Sequence, residues 1–162
     1  TITNARQPVF LVGGGAVHSG AAEEVLRFAR KTGMPVVNTL MGIGVFPGSD
    51  RQCLGLTGMH GHIAANMAVA NADVLIVAGS RFSERVTGDR NRYVGKKTII
   101  QLDIDPSEVD KNVMTALPLV GDMKENLNKL SERVKKLDIE HWWHTIKPWD
   151  ATENRAAQSG ER

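Results

Sequence analysis

"QPVFLVGGGAVHSGAAEEV" (residues 7–25) runs from an apolar stretch through three consecutive glycines into a helical pattern. Val9 to Val12 are consecutive apolar residues without polar alternation, the mark of a strand covered on both faces. Further on, Ala22, Val25, Leu26 and Ala29 recur at helical spacing, which predicts a helix over 19–32 with Ser19 as its N-cap and Gly33 closing it. Glycine lets a backbone turn sharply, take positive φ and approach a ligand closely. A strand, a glycine turn and a helix start suit an anion or nucleotide. They equally suit a βα loop that only turns tightly, and this stretch leaves the two readings balanced. The dinucleotide fingerprint GxGxxG is incomplete: Gly13 and Gly15 fit, but the third position holds His18, so a simple NAD site is not supported.

The same alternation continues along the chain. "MPVVNTL" (34–40), "ADVLIVAGSRF" (72–82), "KKTIIQLDID" (96–105) and "LPLVGD" (117–122) read as further strands, the second being the strongest. A helix is expected over roughly 61–71 with Ile63, Met67 and Ala70 along one face. The clearest helix has Asp122 as its cap, Glu125 three residues on, and the stripe Met123, Leu127, Leu130, Val134 and Leu137. The expected fold class is α/β: a doubly wound, Rossmann-like parallel sheet of about six strands with helices on both faces. From Asp138 the composition shifts. "HWWHTIKPW" carries Trp142, Trp143 and Trp149, expected to dock on a neighbouring domain or back on this one, and the residues after it are expected to be disordered. The expected division is 1–137 as a nucleotide-binding domain and 138–162 as a tryptophan-containing linker and tail.

A chain of 162 residues fits one domain that buries roughly 70% of its unfolded surface. A net charge of +2 with 23% charged residues of both signs argues against a nucleic-acid partner, and 5% aromatics argues against a base-stacking platform. Cys53 is the only cysteine, which excludes an internal disulfide and points to a reducing, cytoplasmic setting. The apolar stretch near the start is too short to span a bilayer, so no membrane partner is expected. The chain begins at Thr1, and it is expected to be a piece of a longer protein.

In an open α/β sheet, ligands bind beyond the carboxyl ends of the strands. Polar and glycine-rich groups follow every expected strand: Gly13 to Gly15, Asn38 to Gly44, Gly79 to Phe82, Asp103 to Asp105, and Gly121 with Asp122. That recurrence favours a long ligand laid across the sheet edge. Asp103 suits a ribose hydroxyl and a turn before Pro106 equally well. Asp122 already has a job as N-cap, and Arg81 is a phosphate partner, a solvated loop residue or an ion-pair partner. His60 and His62 lack zinc-site spacing, and no metal site is expected. Cys53 has no activating partner, and no acid–base pair is evident, so no catalytic residue is assigned. The pattern is that of a cofactor binder whose catalyst lies elsewhere.

"PVFLVGGGA", "GMHGHIAANMAVANADVLIVAGSRFSERVTG" and "LDIDPSEVDKNVMTALPLVGD" closely resemble the central domain of acetolactate synthase (acetohydroxyacid synthase), a thiamine-diphosphate enzyme family, over most of residues 8–137. The resemblance implies that the full-length protein condenses two pyruvates to 2-acetolactate, or pyruvate with 2-oxobutyrate, in branched-chain amino-acid biosynthesis. It implies FAD bound in this domain without net redox work, with thiamine diphosphate and Mg2+ held by flanking domains. A homo-oligomer and a regulatory small subunit are the implied protein partners. By position, Gly13, Gly14 and Gly15 would line the FAD phosphate and ribityl region, with Thr39, Leu40 and Met41 along the same cofactor. Met59 and His60 would approach the flavin end, and Gly79, Arg81 and Arg85 would surround the ribityl and phosphate groups. Asp103, Ile104, Asp122 and Met123 would hold the adenosine. Two departures stand out: Ser83 and Glu84 replace a usual aspartate pair, and His62 replaces a usual small hydroxyl residue. The rival readings are a related thiamine-diphosphate carboligase, decarboxylase or oxidase, and a non-catalytic nucleotide-binding assembly domain.

Overall fold

A computed structural model describes residues 1–159 of the chain. Its centre is a six-stranded, all-parallel sheet in the order β3-β2-β1-β4-β5-β6. The strands are β1 (Pro8–Val12), β2 (Val36–Asn38), β3 (Cys53–Leu56), β4 (Val74–Ala78), β5 (Thr98–Asp103) and β6 (Leu117–Val120). Every residue of β1 and of β4 is buried, so both faces of the sheet centre are covered, as the unbroken apolar runs predict. Phe10 of β1 meets Phe28 edge-on at 5.1 Å between ring centroids. The covering helices work in pairs, α2 (Ala22–Thr32) against α6 (Met123–Arg133), and α3 (Ile63–Asn71) against α7 (Glu140–Ser159). Among the described residues no helix is long and apolar enough to cross a membrane.

Several local expectations are corrected. The helix expected over 19–32 starts later, as α2 at Ala22, and an unexpected short helix precedes it: α1 (Gly14–His18) starts directly in the glycine run, and the chain turns at Gly20 between them. Ser19 therefore ends α1, its hydroxyl bonding the Ala16 carbonyl, while α2 begins after Ala21 without a side-chain cap. Gly33 does close α2, at φ 77°, with its N–H on the Ala29 carbonyl. On α3 the buried face is Ala64, Ala65, Ala68 and Val69, whereas Ile63, Met67 and Ala70 face solvent. Apolar residues surround this helix on all sides, and the small ones point inward because they permit close approach. β6 is a largely exposed edge strand and not a buried one. The opposite edge strand, β3, escapes a hydropathy reading because it is short and interrupted by Gly55 at φ 85°.

Asp122 caps α6 as expected, its Oδ1 accepting the Glu125 N–H at 3.0 Å. The helix stops at Arg133, yet Val134 and Leu137 beyond it remain buried. Where the sequence suggests a linker and disordered tail over 138–162, the structure describes α7 from Glu140 to Ser159, and residues 160–162 lie outside the described residues. All three tryptophans turn back onto this domain. Trp142 is fully buried and its Nε1 donates to the Pro8 carbonyl at 3.1 Å. The Trp143 Nε1 donates to the Gly33 carbonyl at 2.9 Å, and Trp149 lies edge-on to Trp142.

Candidate functional site

The strand order reverses between β1 and β4, and in doubly wound sheets the ligand crevice opens at the carboxyl ends flanking that point. The loops there are Gly13 to Gly15 and Gly79 to Phe82. They pack backbone to backbone. A Cβ on Gly13 would collide with the Gly79 carbonyl, and one on Gly15 would lie 2.7 Å from the Gly79 Cα. The Gly15 N–H donates to the Gly79 carbonyl at 2.9 Å. Gly13 and Gly15 are thus required by the protein's own packing, and they close the floor of the crevice. Gly14 differs: its nearest neighbour is the Met41 side chain, so it faces the rim and not the β4 loop.

The remaining expected site residues lie at the carboxyl ends of the other strands. Thr39 follows β2 and is tied to β1 by its N–H on the Val12 carbonyl at 2.9 Å. Leu40 and Met41 form the following 3-10 turn with Gly42. Met59 and His60 stand on the loop after β3, and Met59 N–H donates to the Arg85 carbonyl at 3.0 Å. Asp103 ends β5 and Ile104 follows it. Leu40, Met41, Met59 and Ile104 are 66–73% exposed, large apolar side chains presented to solvent on one rim. Arg81 and Arg85 are exposed, and among the described residues neither enters an ion pair.

Three of the expected residues have structural tasks of their own. Asp103 is buried and its Oδ1 accepts the Asp105 N–H at 3.1 Å, which is the turn role. Asp122 caps α6, and Met123 is buried in the core beneath it. Hydrogen bonds from Ser107 hold the Asp105 carboxyl below its usual value, with positive charge from Lys111 and Arg81 adding to the effect. Two surface recesses, one between α2 and α6 and one beside residues 3–6, lie away from the carboxyl edge.

Two supporting residues escaped the sequence reading. Asn66, in the first turn of α3, accepts the Thr57 hydroxyl and the Gly58 N–H on its Oδ1 and donates from Nδ2 to the Gly58 carbonyl. Asn112 donates from Nδ2 to the Arg81 carbonyl at 2.8 Å. The only available signal for Asn66 was an amide inside the otherwise apolar run "IAANMAVA". His62, the departure noted above, accepts the Leu56 N–H on Nδ1 at 2.8 Å, so it fastens the same loop. Replacing Asn66 by Ala removes all three contacts, and the loop carrying Met59 and His60 is expected to exchange its amide hydrogens markedly faster. The global cost should be about 1–3 kcal/mol, because Gly58 groups lose their partners. Unaltered exchange over residues 57–61 would contradict this.

Read across the sheet, the rim presents Met59 at β3, Leu40 and Met41 at β2, bare backbone at β1, Arg81 at β4, and Asp103 with Ile104 at β5. Four interstrand spacings separate β3 from β5, about 19 Å at ~4.8 Å each. Exposed apolar side chains thus stand at one end of the rim, a cation in the middle, and a carboxylate beside one apolar side chain at the other end.

The comparisons with known proteins identify the family. The family described as thiamine pyrophosphate enzyme, central domain, matches residues 1–130. The chain is 41% identical over 153 residues to an acetolactate synthase large subunit of Buchnera aphidicola, covering 92% of this chain and 27% of that protein. It is 48% identical over 148 residues to a probable acetolactate synthase large subunit of Methanocaldococcus jannaschii, covering 90% of this chain and 25% of that protein. With acetolactate synthase isozyme 3 large subunit of Escherichia coli the identity is 39% over 158 residues, covering 93% and 28%. The chain therefore spans about a quarter of the length of these relatives. With residues 1–130 matched to that family and the six parallel strands in doubly wound order, this chain belongs to the thiamine pyrophosphate enzymes, as their central domain.

Proposed function

We propose that this chain is the FAD-binding central domain of an acetolactate synthase, whose full-length form condenses two pyruvates, or pyruvate with 2-oxobutyrate. The observation that carries the cofactor reading is the order of groups along the carboxyl edge. Apolar side chains at β3 and β2 suit a flavin ring, and bare backbone with Arg81 suits the ribityl and diphosphate. Asp103 and Ile104 suit the adenosine end. The groups present therefore fit FAD, with one restriction: the Gly13–Gly79 packing leaves no room below the rim, so the cofactor lies on the edge and not between the strands.

Thiamine diphosphate with Mg2+, held by flanking domains, supplies the carbanion-stabilising chemistry. The residues of this chain bind and orient. Leu40, Met41 and Met59 exclude water from the ring, Arg81 and Arg85 neutralise the diphosphate, and the Asn66-braced loop holds His60 toward the neighbouring domain. Further partners in this reading are a second copy of the protein and a regulatory small subunit. A cofactor that binds only the assembled enzyme stabilises it by mass action, which gives a non-redox flavin a purpose.

The test is the full-length protein, assayed with pyruvate, thiamine diphosphate and Mg2+. Acetolactate formation by a yellow enzyme without oxygen uptake supports the reading, and oxygen consumption or simple decarboxylation would place it with a related enzyme. In that protein, Arg81→Ala is expected to weaken FAD retention by roughly 1.5–3 kcal/mol, the worth of a charge-assisted contact. Equal retention of flavin through dialysis by the variant and the wild type would remove Arg81 from the site.

A further inference from the structure

We propose that Asn112 is a positioning residue for Arg81, an assignment that rests on the flavin reading above. The loop bearing Arg81 has an unusual backbone. Gly79 takes φ 67° and Phe82 takes φ 51°, so two left-handed residues bracket the arginine within four positions. For Phe82, whose side chain is buried, that conformation is strained and has to be held by its surroundings. On one side the ring is held edge-on to Tyr93 at 6.1 Å. On the other side the Asn112 amide grips the Arg81 carbonyl at 2.8 Å, the one side-chain hydrogen bond among the described residues that reaches Arg81 itself.

Asn112 makes a firm anchor because its own segment is braced to β5. Gln101, buried in that strand, accepts the Thr115 hydroxyl at 2.8 Å and donates to the Glu108 carbonyl at 3.3 Å. Asp110 accepts the Thr115 N–H at 2.7 Å, and Val113 next to Asn112 is buried. The rigidity of β5 thus passes through Asn112 to the loop after β4. Without that bond the Arg81 segment samples more conformations, and ordering it again must be done at the expense of ligand affinity. Asn112 touches the arginine's backbone and not the ligand, so its effect must run through Arg81.

The experiment is a double-mutant cycle in the full-length enzyme, reading the FAD dissociation constant by titration of the flavin-free protein. Asn112→Ala is expected to raise that constant about tenfold, equivalent to ~1.4 kcal/mol. The melting temperature of the flavin-free form should stay unchanged, and amide exchange should quicken over residues 80–83. In an Arg81→Ala background the same substitution should add little. Additive losses, an unchanged constant in Asn112→Ala, or a weakened constant accompanied by a general loss of stability would overturn the positioning role. If Arg81→Ala itself leaves the constant unchanged, the flavin reading of that arginine falls and this inference with it. If Arg81→Ala weakens FAD and Asn112→Ala does not, only the positioning role falls.

Discussion

Trp142→Ala is expected to destabilise the chain by about 3–5 kcal/mol, the range for emptying a large aromatic site in a core. The side chain is completely buried, and two separate losses follow from its removal. A cavity opens beneath α7, where Trp142 meets Trp149 edge-on at 5.9 Å. The Pro8 carbonyl, at the start of the central strand β1, also loses the indole N–H it accepts. Trp143→Ala should cost less, because that ring is only half buried although its Nε1 reaches Gly33. Urea denaturation of the chain gives the comparison. A Trp142→Ala midpoint equal to the wild type would mean that α7 is not part of the folding unit, and the boundary expected near Leu137 would then stand. The proposal here is the opposite: the domain extends through α7.

Gly79→Ala should be comparably severe, at about 2–5 kcal/mol, for a different reason. At φ 67° an alanine is in the left-handed region, worth roughly 1–2 kcal/mol of strain. Its Cβ would also lie 2.5 Å from the Gly15 Cα and 2.7 Å from the Ala16 nitrogen. Both are backbone atoms, so no rotamer change relieves the overlap, and overpacking of this kind costs roughly 1–3 kcal/mol. The β1 and β4 loops must part, which damages the crevice as well as the fold. Gly48→Ala is the control: a Cβ there meets nothing within 4 Å, and a neutral or slightly stabilising effect is expected. Thermal melting of both variants measures the contrast. A Gly79→Ala protein that melts with the wild type would show that the loops have slack that this packing denies.

The glycine run illustrates how far the sequence could be read. That "VGGGA" stands at a strand end was evident from hydropathy alone, and the doubly wound parallel class followed from the unbroken apolar runs. The tasks of the individual glycines were not evident. Gly13 and Gly15 are bare because Gly79, more than sixty positions away, packs against them, while Gly14 faces the rim. The candidate site was legible as a set of loops after expected strands, except the loop with Met59 and His60, which follows the unexpected strand β3 and came only from the family resemblance. Asn66 and Asn112 were not, because an asparagine in a helix or loop looks ordinary until its distant carbonyl partner is known.

By itself, the sequence determined the α/β class, the approximate strands, the caps at Gly33 and Asp122, and the family. These depend on residues close together along the chain, where hydropathy period and cap chemistry act directly. Tertiary structure alone decided the strand order 3-2-1-4-5-6, which puts the reversal between β1 and β4 and so locates the crevice. It also decided which side of α3 is buried, since a helix with apolar residues all round has no preferred face until its neighbours are chosen. The destination of the three tryptophans belongs with these. Their burial requires the Pro8 and Gly33 carbonyls, which no local pattern brings within reach.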